Sequence, residues 1–572
     1  MKTFTGIWLL LILTPFGLFS QDLGEDYILE WKKFHPSKAL NLGMRPSVFQ
    51  YEDRSNGTII KWLGFNERIL TELSATNSNI DPIDGRLLRV KAQSEVDKWK
   101  TLSEHTTSLR LYSKLIKKAI ISVFKADYLL SSEKSILICD RLTAITELAK
   151  AAQSNLKQVS KIDLEKGLED LGSLSDFLQK DLEKQLQSNG LSKTCKGLYL
   201  KLTIAIQSVE ELKKFSTSTL KKNTLESVSI LGEQEYDRRL SLYTDSNLTS
   251  KKLAEMALAE IQTVKGLMNE VSRKYITETY PDKALPKNDL EIINLALSDM
   301  EKDAPISATD YLQFWKQLAN SAIKFIKEKD IATLPKNNTL NIQTASESAG
   351  AAARIGWVAS APPFDPNPVT TLNLPSIPET LPIQEQIDFW ASFNKPFNRM
   401  IVIHELYPGH YMQLKISRET PHPIRMLFPY GIYIEGWATF AEKVVLDAGW
   451  ESGNSLTYLA HLRKRLENAN RAYTSVKVHC TEWNQEHVLK FSTETSLLAP
   501  QFAKSLWGRI MNSPMQLTSY YLGGTQFTKL LKTEKERLGN NFNLKLFMDT
   551  VMKAGPIPID EFYPIFKNTK LQ

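Results

Sequence analysis

Cysteine is scarce in this sequence: Cys139, Cys195 and Cys480 are the only three among 572 residues. An odd number of widely spaced cysteines indicates neither a disulfide framework nor a cysteine-ligated zinc site. We therefore expect a fold that does not depend on oxidation. The sequence also lacks a glycine-rich phosphate loop, a Gly-x-Ser-x-Gly nucleophile elbow and an internal repeat. P-loop nucleotide-binding proteins, α/β-hydrolases and repeat proteins are thus not indicated.

Charge and long apolar runs are limited as well. A formal net charge of +7 over 572 residues is a modest excess, so we expect no nucleic-acid partner. Near the start, Lys2 precedes an apolar run from Ile7 to Phe19 that ends at Ser20, which predicts a signal peptide over residues 1–20 and an exported, periplasmic or secreted protein. The run is shorter than the ~20 residues of a membrane span. We expect no stable membrane insertion after the signal is removed.

The most informative segment is His404-Glu405-Leu406-Tyr407-Pro408-Gly409-His410, followed by Glu435-Gly436-Trp437. Six of the eight histidines lie between residues 404 and 487, a clustering that favours a site. Two histidines and a carboxylate give zinc three protein ligands and leave a fourth position for water, as in catalytic rather than structural zinc sites. A carboxylate beside the first histidine suits a general base.

The spacing of the two histidines predicts a break in the helix. They are six residues apart, so on a straight helix His410 would lie ~240° around the axis from His404. One metal ion cannot be reached by both rings in that arrangement. Pro408 lacks an N–H and its ring would collide with the carbonyl of His404, and Gly409 permits the backbone angles that a break needs.

The pattern His-Glu-x-x-Pro-Gly-His-x-x-Gln, from His404 to Gln413, resembles the signature of the bacterial "domain of unknown function 885" (DUF885) family, which is similar to metallopeptidases. Residues 385–540 carry the resemblance. Further matches follow in the same order: Glu435-Gly436-Trp437-Ala438, Glu442, Asn470-Arg471, His479, Trp483, Pro514, Gln516, Tyr520 and Gly523.

The resemblance implies a role for each matching residue. It implies that one zinc ion per chain is held by His404, His410 and Glu435. Glu405 would polarise the bound water and Tyr520 would donate to the oxyanion. Glu442, seven residues after Glu435, shares its helical face and is a candidate hydrogen-bond partner of a ligand histidine. Weaker candidates for such support, or for gripping a substrate carboxylate, are Gln413, Arg471 and His479, the last of which suits a structural role at least as well.

Two positions depart from the family pattern. Many relatives have a second histidine where this chain has Tyr411, and an aspartate where it has Ser475. Neither change removes an expected ligand. The aspartate's replacement bears on how the helix around Arg471 and His479 is supported.

Long amphipathic stretches dominate residues 85–335 and predict a mainly α fold. We expect one domain over residues 21–572, made of a helical part (21–345), a proline-rich connector (346–384) and a metal-site part (385–572). By analogy with helical zinc peptidases, the fold would be zincin-like, with two lobes around a channel and a small β element near the metal. Val369 to Leu374 has strand chemistry and suits either an edge strand for an extended substrate or an ordinary connector.

The function expected from these features is hydrolysis of peptide bonds, in oligopeptides rather than folded proteins, by metal-activated water. Two other functions fit the same residues. One is a zinc hydrolase of non-peptide amide or ester bonds in the cell envelope. The other is a non-catalytic scaffold that binds peptides in the cleft, against which stands the intact set of proposed ligands, base and Tyr520.

Overall fold

The computed structural model describes residues 22–46, 51–75, 79–191, 195, 197–225, 230–337, 339–346, 353–498 and 500–568. The expected signal peptide, residues 1–20, lies outside these ranges, as does the part of the connector from 347 to 352. Within them, no helix is both long enough and apolar enough to span a membrane.

Helices fill the first part of the chain, as the hydrophobic periodicity predicts. In the longest of them, α12, Leu253, Ala257 and Ile261 recur at helical spacing and are buried, and the Thr249 side chain caps the helix by accepting from Lys252 N. The helices are α1 (Leu23–Phe34), α2 (Pro36–Asn41), α3 (Asn56–Leu73), α4 (Pro82–Val96), α5 (Glu104–Thr107), α6 (Leu109–Lys125), α7 (Ser131–Asn155), α8 (Lys161–Asp176), α9 (Leu182–Ser188), α10 (Leu198–Ser218), α11 (Glu233–Thr244), α12 (Ser250–Thr279), α13 (Asp289–Lys302) and α14 (Ala308–Glu328).

A small sheet follows in the connector, formed by β1 (Leu340–Thr344), β2 (Trp357–Ala359) and β3 (Thr370–Leu374). Its order is β1-β3-β2, with β3 parallel to β1 and antiparallel to β2. The predicted strand after Val369 is therefore confirmed, but its placement at an edge is wrong. Because β1 and β2 pair with both sides of β3, its backbone has no free side on which to lay a substrate.

The last part of the chain is again helical. Its helices are α15 (Ile383–Ser392), α16 (Lys395–Glu405), α17 (His410–Ser417), α18 (Pro423–Leu427), α19 (Gly431–Asp447), α20 (Ser455–Cys480), α21 (Gln485–Lys490), α22 (Pro500–Asn512), α23 (Ser519–Leu538), α24 (Leu544–Ala554) and α25 (Phe562–Asn568). The chain is thus mainly α with one small sheet, which agrees with the predicted class.

Two large apolar cores hold these helices. The larger draws on α1, α3, α4 and α11 to α14, and also on α15 to α20 and α23 to α25. It therefore joins the predicted N-terminal and metal-site parts. The smaller core lies among α6 to α10.

The smaller core also contains a disulfide bond between Cys139 on α7 and Cys195 just before α10. The number and spacing of the cysteines did not indicate this bond. The two residues are 56 apart in sequence, but α7 packs against α10 and brings their Cα atoms to 5.6 Å. Linear spacing carries no signal of this packing. Cys480 is free.

Candidate metal centre

The helix break expected at Pro408 is present. Helix α16 ends at Glu405 and α17 begins at His410, with a cis peptide bond between Tyr407 and Pro408. Only glycine fits at position 409, because a Cβ atom there would lie 1.9 Å from the carbonyl oxygen of His404. The turn is held from outside by Trp437, whose indole N–H donates to the carbonyl of Pro408 at 2.9 Å.

The break brings three of the predicted residues together. His404, His410 and Glu435 each place a ligand atom within 4.8 Å of the others. The Glu435 Oε2 atom lies 3.3 Å from His410 Nε2 and 3.9 Å from His404 Nε2. Donors that each lie ~2.0–2.1 Å from a tetrahedral zinc ion are separated by roughly 3.3 Å. The three donors fit one such ion.

Glu442 holds His404 in the orientation that a ligand histidine needs. Its buried carboxylate contacts His404 Nδ1 at 2.7 Å, which leaves Nε2 facing Glu435. The other oxygen contacts His461 Nδ1 at 2.9 Å. Burial raises the pKa of Glu442, but the hydrogen bonds from the two histidines outweigh it and lower the pKa to about 2. Carboxylates of this kind fix the tautomer of a metal-binding histidine and increase its basicity.

Close contact between α19 and α23 positions Glu435. A Cβ atom on Gly436 would lie 2.4 Å from the Cα of Gly523, and one on Gly523 would lie 2.4 Å from the carbonyl oxygen of Ile432. Only glycines allow this approach. Gln516, just before α23, donates to Glu435 Oε1 at 3.2 Å, so Oε2 is the oxygen turned toward the histidines.

Tyr520, on the first turn of α23, lies beside this carboxylate. Gln516 Nε2 is 3.3 Å from its hydroxyl oxygen and Arg509 donates to the same oxygen at 3.4 Å. The guanidinium carbon of Arg471 stands 4.6 Å from the centre of its ring. Burial raises the pKa of Glu435, but His410, His404 and the Tyr520 hydroxyl outweigh it and lower the pKa to about 2.

Glu405 is half-buried at the end of α16, directly after His404. Burial lowers the pKa of His410, yet the carboxylates of Glu435, Glu405 and Glu442 outweigh it and raise that pKa. The charge of Glu405 therefore acts on the same small volume as the three donors. Among the described residues, none holds the Glu405 carboxylate by a hydrogen bond or an ion pair, unlike the carboxylates of Glu435 and Glu442.

The weaker candidates lie elsewhere. Gln413 is buried on α17 and donates to Ser417 on the same helix, rather than contacting His404 or Glu435. His479 contacts the backbone N of Leu231 and the carbonyl of Ile510, away from the three donors. Arg471 is bound to Glu467 and Asn468 and reaches the centre only through the Tyr520 ring.

The two departures from the family pattern are accommodated by buried contacts. Ser475 accepts from the Tyr236 hydroxyl at 3.1 Å and donates to the carbonyl of Pro514 at 3.3 Å. It therefore ties α20 to α11 and to the segment before α23. Tyr411 is buried against Tyr407.

Sequence reasoning did not assign roles to His461, Gln516 or Arg509. Gln516 belongs to the matching family pattern, but nothing in its type or spacing indicates a contact with Glu435. For His461 the only signal was membership of the histidine-rich region from 404 to 487. Arg509 gave no signal, because its approach to Tyr520 depends on how α22 packs.

A second group of possible ligands lies at the start of α4, where Asp81, Asp84 and His422 come together. Here a cation is already present. Arg425 donates to Asp84 at 2.7 Å and to Asp81 at 3.1 Å. The Asp81 side chain also caps α4 by accepting from the backbone N–H groups of Ile83 and Asp84.

Known proteins match this chain over nearly its whole length. A family model described as "Bacterial protein of unknown function (DUF885)" matches residues 36–562. Among solved structures, a "putative lipoprotein of unknown function" from Shewanella oneidensis is similar with a TM-score of 0.82 and 20% identity, over 96% of this chain and 99% of that one. A "putative lipoprotein" from Colwellia psychrerythraea has a TM-score of 0.73 and 18% identity over the same shares. At these identities the likeness shows a shared fold. No curated protein matches.

Proposed function

The chain belongs to the DUF885 family of bacterial proteins of unknown function, and we propose that it is an exported zinc-dependent peptidase acting on oligopeptides. The observation that carries the proposal is the triangle of His404, His410 and Glu435, with Glu442 bound to the far nitrogen of His404. Catalytic zinc sites commonly have two histidines and one carboxylate as donors. A carboxylate that orients a ligand histidine is also typical of such sites. The proposal includes a zincin-like arrangement of two lobes around a channel.

Zinc held there would act as a Lewis acid and lower the pKa of a water molecule to about 7. Glu405, adjacent to the triangle, would accept a proton from the attacking water. As the water oxygen adds to the carbonyl carbon of the peptide and the C–N bond breaks, Glu405 would pass this proton to the leaving amine. Tyr520 donates a hydrogen bond to the carbonyl oxygen as negative charge develops on it.

Two further observations support an exported location. Disulfides persist mainly in oxidising compartments, and Cys139 is bonded to Cys195. The two similar solved structures are of proteins described as lipoproteins. Together with the signal peptide expected over residues 1–20, these favour a periplasmic or secreted protein. The proposed partner is a peptide substrate.

The decisive experiment compares zinc content and peptide hydrolysis in wild type, Glu405→Gln and Glu419→Gln. Glu405→Gln should keep its zinc while kcat falls by about 10²–10⁴, the usual contribution of a general base. Exposed Glu419 is the matched control and should behave as wild type. Chelation should abolish hydrolysis and added zinc should restore it. Full turnover in Glu405→Gln would contradict the proposed base.

The same preparations separate the two alternative functions. Hydrolysis of esters or non-peptide amides without peptide cleavage would favour a cell-envelope hydrolase. Peptide binding by a zinc-loaded wild type that turns over none of these substrates would favour a scaffold.

A further inference from the structure

A cavity of about 480 Å³ lies between α2, α4, α11 and the segment before α19. Aromatic side chains form much of its wall, among them Trp31, Tyr243, Phe428 and Tyr430. Its volume is within the range of sites that take small organic ligands. The polar groups in this wall therefore decide what chemistry it accepts.

Lys38 brings an amine into the wall of this cavity. No carboxylate of the described residues lies within ion-pair distance of its ammonium group, although the side chain is half-buried. Lys91, the other lysine of the wall, is paired with Glu95. That carboxylate also accepts from the indoles of Trp62 and Trp99, so its capacity is already used.

The electrostatic surroundings of Lys38 point the same way. Burial lowers its pKa to about 7, and the positive charge of Lys91 acts in the same direction. Of the other charged groups that act on it, Lys98 and Lys118 are positive and Glu95 is negative. Burial disfavours the charged form of Lys38, and an anionic ligand would stabilise that form.

The cavity adjoins the starts of α19 and α23, the helices that carry Glu435 and Tyr520. Gly431 lines it and begins α19, one helical turn before Glu435. Tyr243 also lines it, and its hydroxyl is 2.7 Å from Ser519 Oγ, next to Tyr520. Burial raises the pKa of Tyr243 to about 12, and the charges of Glu435 and Tyr520 add to the shift. The Tyr243 side chain therefore contacts both the cavity and the start of α23, beside Tyr520.

We propose that this cavity binds the C-terminal carboxylate of a peptide through Lys38, so that residues are released from peptide C-termini. The inference rests on the proposed peptidase function and names its substrate class. The aromatic wall takes the side chain beside the carboxylate. The C–N bond that breaks is the one presented to the metal centre, and the fragment held by Lys38 leaves as the amine.

Binding is tested first, because it does not depend on turnover. Calorimetry would compare N-acetyl-phenylalanine with N-acetyl-phenylalanine amide on zinc-loaded wild type, Lys38→Met, Lys38→Arg and Lys61→Met. Wild type should bind the acid at least ~10-fold more tightly than the amide, a factor typical of one charge-assisted contact. Lys38→Met should lose this preference, and Lys38→Arg should retain it. Lys61, exposed on α3, is the matched control.

Hydrolysis then tests the link to the metal centre, using one peptide with a free or an amidated C-terminus. Wild type should prefer the free acid, and in Lys38→Met its KM should rise while the amide is unaffected. Equal binding of acid and amide by wild type would overturn the carboxylate site. Acid binding through Lys38 combined with cleavage that ignores amidation would overturn the peptide assignment in favour of a free organic acid. If no peptide is cleaved the peptidase function fails, while the binding comparison still decides whether Lys38 holds a carboxylate.

Discussion

Two clusters of histidine and carboxylate that could hold a metal ion occur among the described residues, and they differ in what balances their charge. At the metal centre, His404, His410 and Glu435 converge, and no lysine or arginine of the described residues forms an ion pair with Glu435. At the start of α4, Asp81, Asp84 and His422 also converge, but Arg425 donates to both aspartates. The first cluster leaves room for a metal cation, whereas the second already contains its positive charge.

The two clusters also differ in how their members are held. At the metal centre, separate groups orient the donors: Glu442 binds the far nitrogen of His404, and Gln516 binds the far oxygen of Glu435. In the second cluster, the ligand atoms already have partners. Asp81 caps α4, and His422 contacts Asp84. Proximity of three possible ligands is thus a weak criterion for a metal site. Free donor atoms that outside groups hold in position are a stronger one.

The largest expected effect is the loss of zinc from one cluster and not from the other. His410→Ala removes one of three ligands and should abolish both bound zinc and hydrolysis. His422→Ala should leave one zinc per chain and full activity, because His422 contributes only to an ion network. Elemental analysis of both variants beside wild type measures the difference. Equal zinc in all three would mean that the break at Pro408 does not build a metal site.

Tyr520→Phe tests a hydroxyl group that lies beside Glu435 at the metal centre. Loss of one oxyanion donor lowers kcat by about 10²–10³ in known enzymes. Zinc content and KM should change little, since Tyr520 is not a ligand. Steady-state kinetics with parallel metal analysis would separate these effects. A large loss of zinc with unchanged kcat per zinc would show that the hydroxyl positions Glu435 instead.

Glu442→Gln tests the support of the donors. His404 would keep a hydrogen-bond partner but lose the negative charge that increases its basicity. Mutation of such partners costs about 10–100-fold in metal affinity. Competition with a chromophoric chelator measures that affinity, and circular dichroism checks that the variant folds. Wild-type affinity in Glu442→Gln would mean that the buried carboxylate acts on packing alone.

The sequence contained the candidate ligands but not the geometry that supports them. The Pro408-Gly409 pair was sufficient to predict the helix break, because backbone chemistry is local. By contrast, the contact of Gly436 with Gly523, the hydrogen bond from His461 to Glu442 and the Cys139–Cys195 bond join residues at least 19 positions apart. Helix packing sets such contacts, and periodicity shows which face of a helix is buried without showing its partner. The position of β3 inside its sheet was missed for the same reason.

Arg425→Met has the smallest expected effect on zinc and turnover. It tests whether the positive charge of Arg425 is what keeps metal out of the second cluster. Asp84 is buried, so loss of Arg425 leaves its charge with His422 alone. Breaking a buried ion pair typically costs about 3 kcal/mol of stability, whereas the exposed pair of Arg68 with Glu72 should cost less than ~1 kcal/mol in Arg68→Met. Denaturant unfolding measures both, and zinc should stay at one per chain.

A second zinc in Arg425→Met, absent from Arg425→Met with His422→Ala, would show that the arginine alone had excluded metal from the second cluster. The support given by Glu442 and Gln516 would then not be what distinguishes the metal centre.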